Sequence, residues 1–139
     1  MSRKNMTGRE FEEHCAGYLR RRGFKKIELT KGSGDQGVDI LAKRRGKTYA
    51  IQCKFYQKPV GNKAVQEAYA GMQYYDCDKG MVMTNSTFTK GAIELAGRTG
   101  VALWEAVPLR KAHGSRLLFL FVLLVILGAA MYHTLQAVG

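Results

Sequence analysis

Asp39, Gln52 and Lys54 bring an acid, an amide and an ammonium onto two neighbouring stretches that both read as strands, Gly34 to Ile40 and Tyr49 to Tyr56. Asp39 stands between Val38 and Ile40, and strand alternation sends its carboxylate to the face opposite those apolar neighbours. The same alternation puts Gln52 and Lys54 on one face of the second strand and Cys53 on the other. The link from Ala42 to Thr48 carries Lys43, Arg44, Arg45, Gly46 and Lys47. It is short and polar enough to make the two strands an antiparallel hairpin, with Asp39 and Lys54 expected as neighbours across the ladder.

Such a set suits hydrolysis of a phosphodiester with a divalent cation, which stabilises charge on the phosphate and lowers the pKa of a water. Mg²⁺ keeps most of its waters and asks a protein for only one or two carboxylates. Asp39, a side-chain oxygen of Gln52 and one further acid would be enough, and Mn²⁺ is an alternative ion. Lys54 would orient the attacking water or offset charge on the phosphate. Because Gln52 is neutral, weaker metal binding is expected than a glutamate would give. The plainer alternative is a surface ion pair between Asp39 and Lys54, worth ~0 to 1 kcal/mol.

These residues need elements to hold them. Thr7 followed by Glu10 forms a capping box, and Phe11, Cys15, Tyr18 and Leu19 continue as an apolar stripe at helical spacing until Gly23. Glu12 lies beside that stripe and can look inward, whereas Glu13 shares a more solvated line with Gly17 and Arg20. Phe24 to Thr30 reads as a first strand. Gly32-Ser33-Gly34-Asp35 is turn composition, and Asp35 either caps the turn or approaches the metal. After Pro59, Asn62 to Tyr75 reads as a helix with Val65, Ala68, Tyr69 and Met72 on one side. Gly80 to Asn85 is a short buried strand, Thr89 to about Arg98 a third helix, and Val101 to Trp104 a last strand. The order α, β, β, β, α, β, α, β predicts an α/β fold, a mixed central sheet with helices on its faces.

The chain has 22 basic and 11 acidic residues, a formal net charge of +11. All of them precede Leu117, so that part carries the electrostatic footprint of a polyanion binder. Clusters at Arg20-Arg21-Arg22, Lys25-Lys26 and Lys43-Arg44-Arg45-Lys47 could straddle a DNA duplex around Asp39. Arg44, Arg45 and Lys47 are the expected phosphate contacts. Of the aromatic residues, Tyr49, Phe55, Tyr69, Tyr74 and Tyr75 are expected in packing, and Tyr56, just beyond Lys54, is the candidate for substrate contact. Cys15, Cys53 and Cys77 have no paired spacing and fit reduced, buried thiols; His14, His113 and His133 have no spaced partner.

From Leu117 to Met131 every residue is apolar or glycine, and no charge occurs from Leu117 to Gly139. At ~1.5 Å per residue the tract makes a helix of about 34 Å, enough for a hydrocarbon core of ~30 Å. A transmembrane helix over 116–138 is expected, with 108–115 as a basic juxtamembrane linker. A buried core helix or an amphipathic anchor is the alternative. Arg110, Lys111 and Arg116 precede the tract and nothing basic follows it, which predicts a single-pass protein of the cell inner membrane with residues 1–107 in the cytoplasm. Lipid headgroups are the favoured partner of those three residues, and Gly128-Ala129-Ala130 is a weak small-residue signal for packing as a homodimer.

The chain resembles the PD-(D/E)xK nuclease superfamily, and within it the Mrr-type restriction endonuclease domain, whose second motif is Gln-x-Lys. The resemblance covers about residues 6 to 105. It rests on Thr7-Gly8-Arg9-Glu10-Phe11-Glu12, Arg22-Gly23-Phe24, Ser33-Gly34-Asp35-Gln36-Gly37-Val38-Asp39, Ile51-Gln52-Cys53-Lys54, and Thr84-Asn85 followed by Phe88-Thr89 and an Ala-rich helix. It implies a restriction-endonuclease-like core, with Asp39, Gln52 and the backbone carbonyl of Cys53 at a Mg²⁺ or Mn²⁺ ion, Lys54 as the catalytic lysine, and an acid on the first helix. In the similar archaeal Holliday junction resolvases the spacing of that acid falls on Glu12, with Glu13 its open alternative. The implied function is endonucleolytic cleavage of foreign or modified DNA. Structure-specific cleavage, or a silent DNA-binding module, are the alternatives.

Overall fold

In the computed structural model, the described residues are 6–31, 37–109, Leu124 and Ile126. The chain divides into two units, Met1–Leu109 and Arg110–Gly139. The first unit runs α1 (Gly8–Arg21), β1 (Lys25–Leu29), β2 (Ile40–Arg44), β3 (Lys47–Lys54), α2 (Asn62–Tyr74), β4 (Lys79–Thr84), α3 (Lys90–Thr99) and β5 (Ala102–Trp104). The expected order of elements is the observed one. Among the described residues no helix is long and apolar enough to cross a membrane. The expected span over 116–138 lies outside them except for Leu124 and Ile126, both helical and exposed. Asp35, Arg110, Lys111, Arg116, His113 and His133 also lie outside the described residues.

The strands form one mixed sheet in the order β1-β2-β3-β4-β5. The first two pairings are antiparallel, while β3–β4 and β4–β5 are parallel. Parallel neighbours need a crossover, and α2 and α3 supply the two. Alternation along the strands divides the core between the two faces. Ile51, Cys53, Met81 and Met83 pack with Phe11, Cys15, Ala16 and Leu19 of α1. On the other face Val82 packs with Val60, Ala64, Val65 and Ala68, and with Ala92 and Ala96 of α3. Full burial of a Phe11 or a Leu19 stabilises by ~1.5 to 3 kcal/mol each. The face that carries Gln52 and Lys54 is thereby the face covered by α2.

The α1 N-terminus is the capping box read from the sequence: Thr7 accepts from the Glu10 amide and the Glu10 carboxylate accepts from the Thr7 amide. Exchanging such a cap for alanine costs about 1 kcal/mol. The hairpin link is tighter than the expected stretch from Ala42 to Thr48. Strand pairing continues to Arg44↔Lys47, leaving Arg45 and Gly46 as a two-residue loop with φ of 50° and 77°. Two successive positive φ values match the twist of antiparallel strands, and they let the ladder run almost to its tip. In α2 the buried stripe is Ala64, Val65, Ala68 and Gly71. Tyr69, expected on that stripe, is exposed, as is Tyr74, because α2 seats its smallest side chains against the sheet. Cys77, expected buried, is only half-buried.

Candidate active site

Asp39 immediately precedes β2, and its backbone N–H donates to Ile51 O at 2.9 Å. That bond holds it beside the last residues of β3. One carboxylate oxygen, Oδ2, accepts from Gln52 Nε2 at 2.6 Å and from the Cys53 backbone N–H at 2.6 Å. Burial is the chief cause that lifts its pKa to about 6. The Cys53 amide and the Lys54 charge work against this rise, and the carboxylates of Glu12 and Glu67 reinforce it. At neutral pH Asp39 is therefore an anion in a place that disfavours one. Such an anion favours a cation beside it.

Gln52 is 4% exposed. Its Nε2 is taken by Asp39 and, at 3.3 Å, by Cys53 O, while its buried Oε1 has no hydrogen-bond partner among the described residues. A buried acceptor without a donor costs of order 1 to 3 kcal/mol, and a bound hard cation would relieve it. Asp39, Gln52 Oε1 and the Cys53 carbonyl are all oxygen donors of the kind that Mg²⁺ or Mn²⁺ takes. Among the described residues no group of three His, Cys, Asp or Glu side chains forms a metal cage. The Cys53 thiol points away from this chemistry: its hydrogen bond with Cys15, and then burial, push its pKa up and keep it neutral.

Lys54 stands at the end of β3, and its Nζ meets Glu67 Oε2 of α2 at 2.7 Å. Sequence reading placed Lys54 beside Asp39. The structure leaves Asp39 close enough to feel the lysine charge, but gives the ammonium to Glu67. Gly37, with φ of 75°, explains how α2 comes so near. A Cβ there would lie 3.0 Å from the Glu67 Cβ and 3.1 Å from Gln52 Oε1, so glycine is required both for its backbone angle and for its missing side chain. Lys54, Tyr56, Val60, Gly61, Lys63, Ala64 and Glu67 line a cleft of about 80 Å³. Asn85 closes its rim by donating to Tyr56 O at 2.8 Å and accepting from the Tyr56 amide at 2.9 Å.

Glu12 is partly buried, and Arg9 Nη1 bridges its carboxylate and the Thr30 carbonyl, both at 3.0 Å. It acts on Asp39 by charge; Glu13 is exposed. Tyr56, 49% exposed, stands on the cleft. Arg44, Arg45 and Lys47 do not. They lie at the opposite end of the hairpin, five residues from Asp39 along the strand, about 17 Å at ~3.3 Å per residue. Arg44 instead stacks over the Phe24 ring, 5.1 Å from its centroid. His14 is engaged by the Pro108 carbonyl at 2.6 Å.

Glu67 and Lys63 were missed from the sequence, and Gly37 and Asn85 were noted there only as parts of motifs, without a role at the site. Glu67 had a readable signal, because it follows Ala64 by three residues and precedes Gly71 by four, both in the buried stripe of a helix.

An uncharacterized protein of Archaeoglobus fulgidus is 31% identical over 74 residues, which are 50% of this chain and 42% of that protein. The chain thus matches less than half the length of that curated relative. The crystal structure of AF1548, a protein of unknown function, is 28% identical with a TM-score of 0.55, covering 73% of this chain and 60% of the other. EndoMS in its apo form is similar at 17% identity and a TM-score of 0.57, over 77% and 49% of the two chains. The DNA modification-dependent restriction endonuclease AspBHI is similar at 20% and 0.52, over 68% and 28%. The last two likenesses carry the fold alone. The sequence profile of the Mrr catalytic domain, described as a restriction endonuclease, matches residues 3–112. Over most of its length, and with Asp39, Gln52 and Lys54 gathered at the end of one hairpin, the chain belongs to the restriction endonuclease family of the Mrr catalytic type.

Proposed function

We propose that the chain is a Mg²⁺- or Mn²⁺-dependent endodeoxyribonuclease that restricts foreign or modified DNA at the cytoplasmic face of a membrane, with 1–107 as the nuclease domain and 116–138 as its anchor. The observation that carries the nuclease reading is the orphaned Gln52 Oε1 beside an anionic, desolvated Asp39, two residues from Lys54. Asp39, Gln52 Oε1 and the Cys53 carbonyl would hold the ion, which when bound offsets phosphate charge and makes water a better nucleophile. Asp39 draws the cation by its charge. Gln52 donates to Asp39 through one end of its amide and leaves the other end free to accept. Lys54 presents its ammonium on the cleft, where a phosphate oxygen or a nucleophilic water can meet it. Glu12 adds negative charge from the α1 side.

DNA as substrate is supported by the formal +11 charge and by the fold shared with EndoMS in its complex with double-stranded DNA, TM-score 0.54 at 17% identity. The uncharged tract behind Arg110, Lys111 and Arg116 supports the anchor.

The test is incubation of the full-length chain, wild type and Lys54→Ala, with methylated and unmethylated plasmid in Mg²⁺, Mn²⁺ or EDTA. Metal-dependent nicking or cutting that is lost in Lys54→Ala is the expected result. Equal DNA binding by both proteins with no cleavage under any metal would sink the catalytic reading in favour of a binding module.

A further inference from the structure

We propose that Glu67 is a positioning residue for Lys54, supplying from α2 the carboxylate that β3 lacks at Gln52. The inference rests on the nuclease reading above and deepens it.

Lys54 and Glu67 approach to 2.7 Å with side chains only 20% and 26% exposed. This is not a loose surface pair. Partial burial strengthens the Coulomb attraction relative to water and slows exchange with solvent ions. The contact at Oε2 is ionic without hydrogen-bond alignment, since that oxygen is buried and has no geometrically acceptable donor. Charge holds the pair, and the two backbones hold the charges. The competing partner, Lys63, is 89% exposed and reaches Glu67 Oε1 only at 4.0 Å. Its contribution is that of a solvated i,i+4 pair, a few tenths of a kcal/mol.

Three separate segments converge to place Glu67. Ala64, Ala68 and Gly71 seat α2 on the sheet, Val60 is bonded to Thr87 and Thr89 at 2.8 and 3.0 Å just before the helix, and Gly37 gives room for the Glu67 Cβ beside Gln52 Oε1. Gln52 and Glu67 therefore both crowd the Gly37 Cβ position, and of the two it is Glu67 that contacts the Lys54 ammonium. One is two residues before Lys54 on the same strand face; the other faces it from the helix. With an amide at 52, the acid at 67 is what balances Lys54. With an acid at 52, a neutral residue at 67 would leave the same formal charge. Without either acid, the ammonium has four rotatable bonds and no ion-pair contact, only the more distant charge of Asp39, and misplacement of about 1 Å can cost ~10²-fold in rate.

The experiment compares the full-length wild type with Glu67→Gln, Glu67→Asp, Gln52→Glu and the double variant Gln52→Glu/Glu67→Gln on plasmid DNA in Mg²⁺ and Mn²⁺, measuring kcat and KM separately and thermal unfolding alongside. The expected result for Glu67→Gln is a kcat lowered ~100-fold with KM within about threefold. The double variant should recover at least ~10-fold of that loss, because Glu at 52 returns a carboxylate to Lys54. Glu67→Gln active within threefold of wild type overturns the proposal, and so does a double variant no better than Glu67→Gln. Should Glu67→Gln unfold, Glu67→Asp decides: a folded protein with reduced kcat and unchanged KM supports the proposal, and full activity overturns it. A wild type inert with every metal removes the nuclease reading and this one with it. An active wild type beside an equally active Glu67→Gln removes only this one.

Discussion

The two ends of the β2–β3 hairpin are made from the same strands and differ in almost every physical respect. At one end Asp39, Gln52 and Lys54 are packed between the hairpin and α2, with an acceptor left unpartnered and a carboxyl pushed up to about 6. At the other, Arg45 and Gly46 turn the chain in solvent, flanked by Arg44 and Lys47. The basic end suits long-range attraction of a polyanion, which needs charge and little geometry. The acidic end suits chemistry, which needs desolvated groups in fixed places. Charge density along the sequence pointed to the turn, but the candidate site groups sit some six residues away along each strand. On the proposed function, attraction and reaction are separate jobs on one hairpin.

The contrast can be broken first on activity. Asp39→Ala should lower metal-dependent cleavage by at least ~10³-fold. Lys47→Ala should leave kcat unchanged, weaken DNA binding and reduce its dependence on log salt by up to about one. Measuring kcat and the salt slope for both variants decides the matter, and a Lys47→Ala kcat that falls with Asp39→Ala would bring the turn into the site.

A smaller effect separates two glycines. Gly37 and Gly46 have nearly the same φ, 75° and 77°, but a Cβ at Gly37 meets Glu67 and Gln52, and one at Gly46 meets nothing within 4 Å. Gly46→Ala should cost ~1 kcal/mol from backbone strain alone, and Gly37→Ala 2 kcal/mol or more as crowding adds to strain. Urea unfolding of both checks this. Equal costs would mean that the close approach of α2 is unimportant.

The smallest expected effect is a pH dependence of stability. The pKa of Asp39 is higher in the folded chain than its ordinary 3.8, so the folded state binds the proton more tightly. The resulting stabilisation is full below pH ~4 and is lost as pH rises through about 6. Asp39→Asn cannot ionise and should not suffer that loss. In EDTA it should exceed wild type by roughly 1 to 2 kcal/mol at pH 7.5, discounted for partial exposure, with the advantage gone at pH 4. Denaturation curves at both values would reject the argument if the difference does not change with pH.

The hairpin, the capping box and the element order could be read from the sequence, since each depends on neighbours in the chain: Val38-Asp39-Ile40 alternates, and Thr7 reaches Glu10. The site itself was half legible. Alternation placed Gln52 and Lys54 on one face of a strand, but it contains nothing about which helix covers that face, so the partner of Lys54 was sought on β2 and found on α2. The stripe of α2 was right at Val65 and Ala68 and wrong at Tyr69 for a related reason. Tyr69 is the more hydrophobic choice by composition, yet close helix-to-sheet contact selects Ala64, Ala68 and Gly71, and with them turns Glu67 inward. Arg45-Gly46 was hidden because an arginine at positive φ is not a turn signal that composition announces.

The bonds between Asn85 and Tyr56 bear on the order in which the molecule is assembled. The hairpin closes across two residues, whereas Asn85 must return across a separation of 29 positions to reach Tyr56. Closure entropy grows with that separation, and local pairings form before distant ones repay their cost. A chain emerging from the ribosome can pair Asp39 with Gln52 while α2 and β4 are still being made. The ammonium of Lys54 has no carboxylate to meet until α2 docks, and the strand beyond it has no clasp until β4 is in place. The candidate site is finished late, after the basic turn of the hairpin.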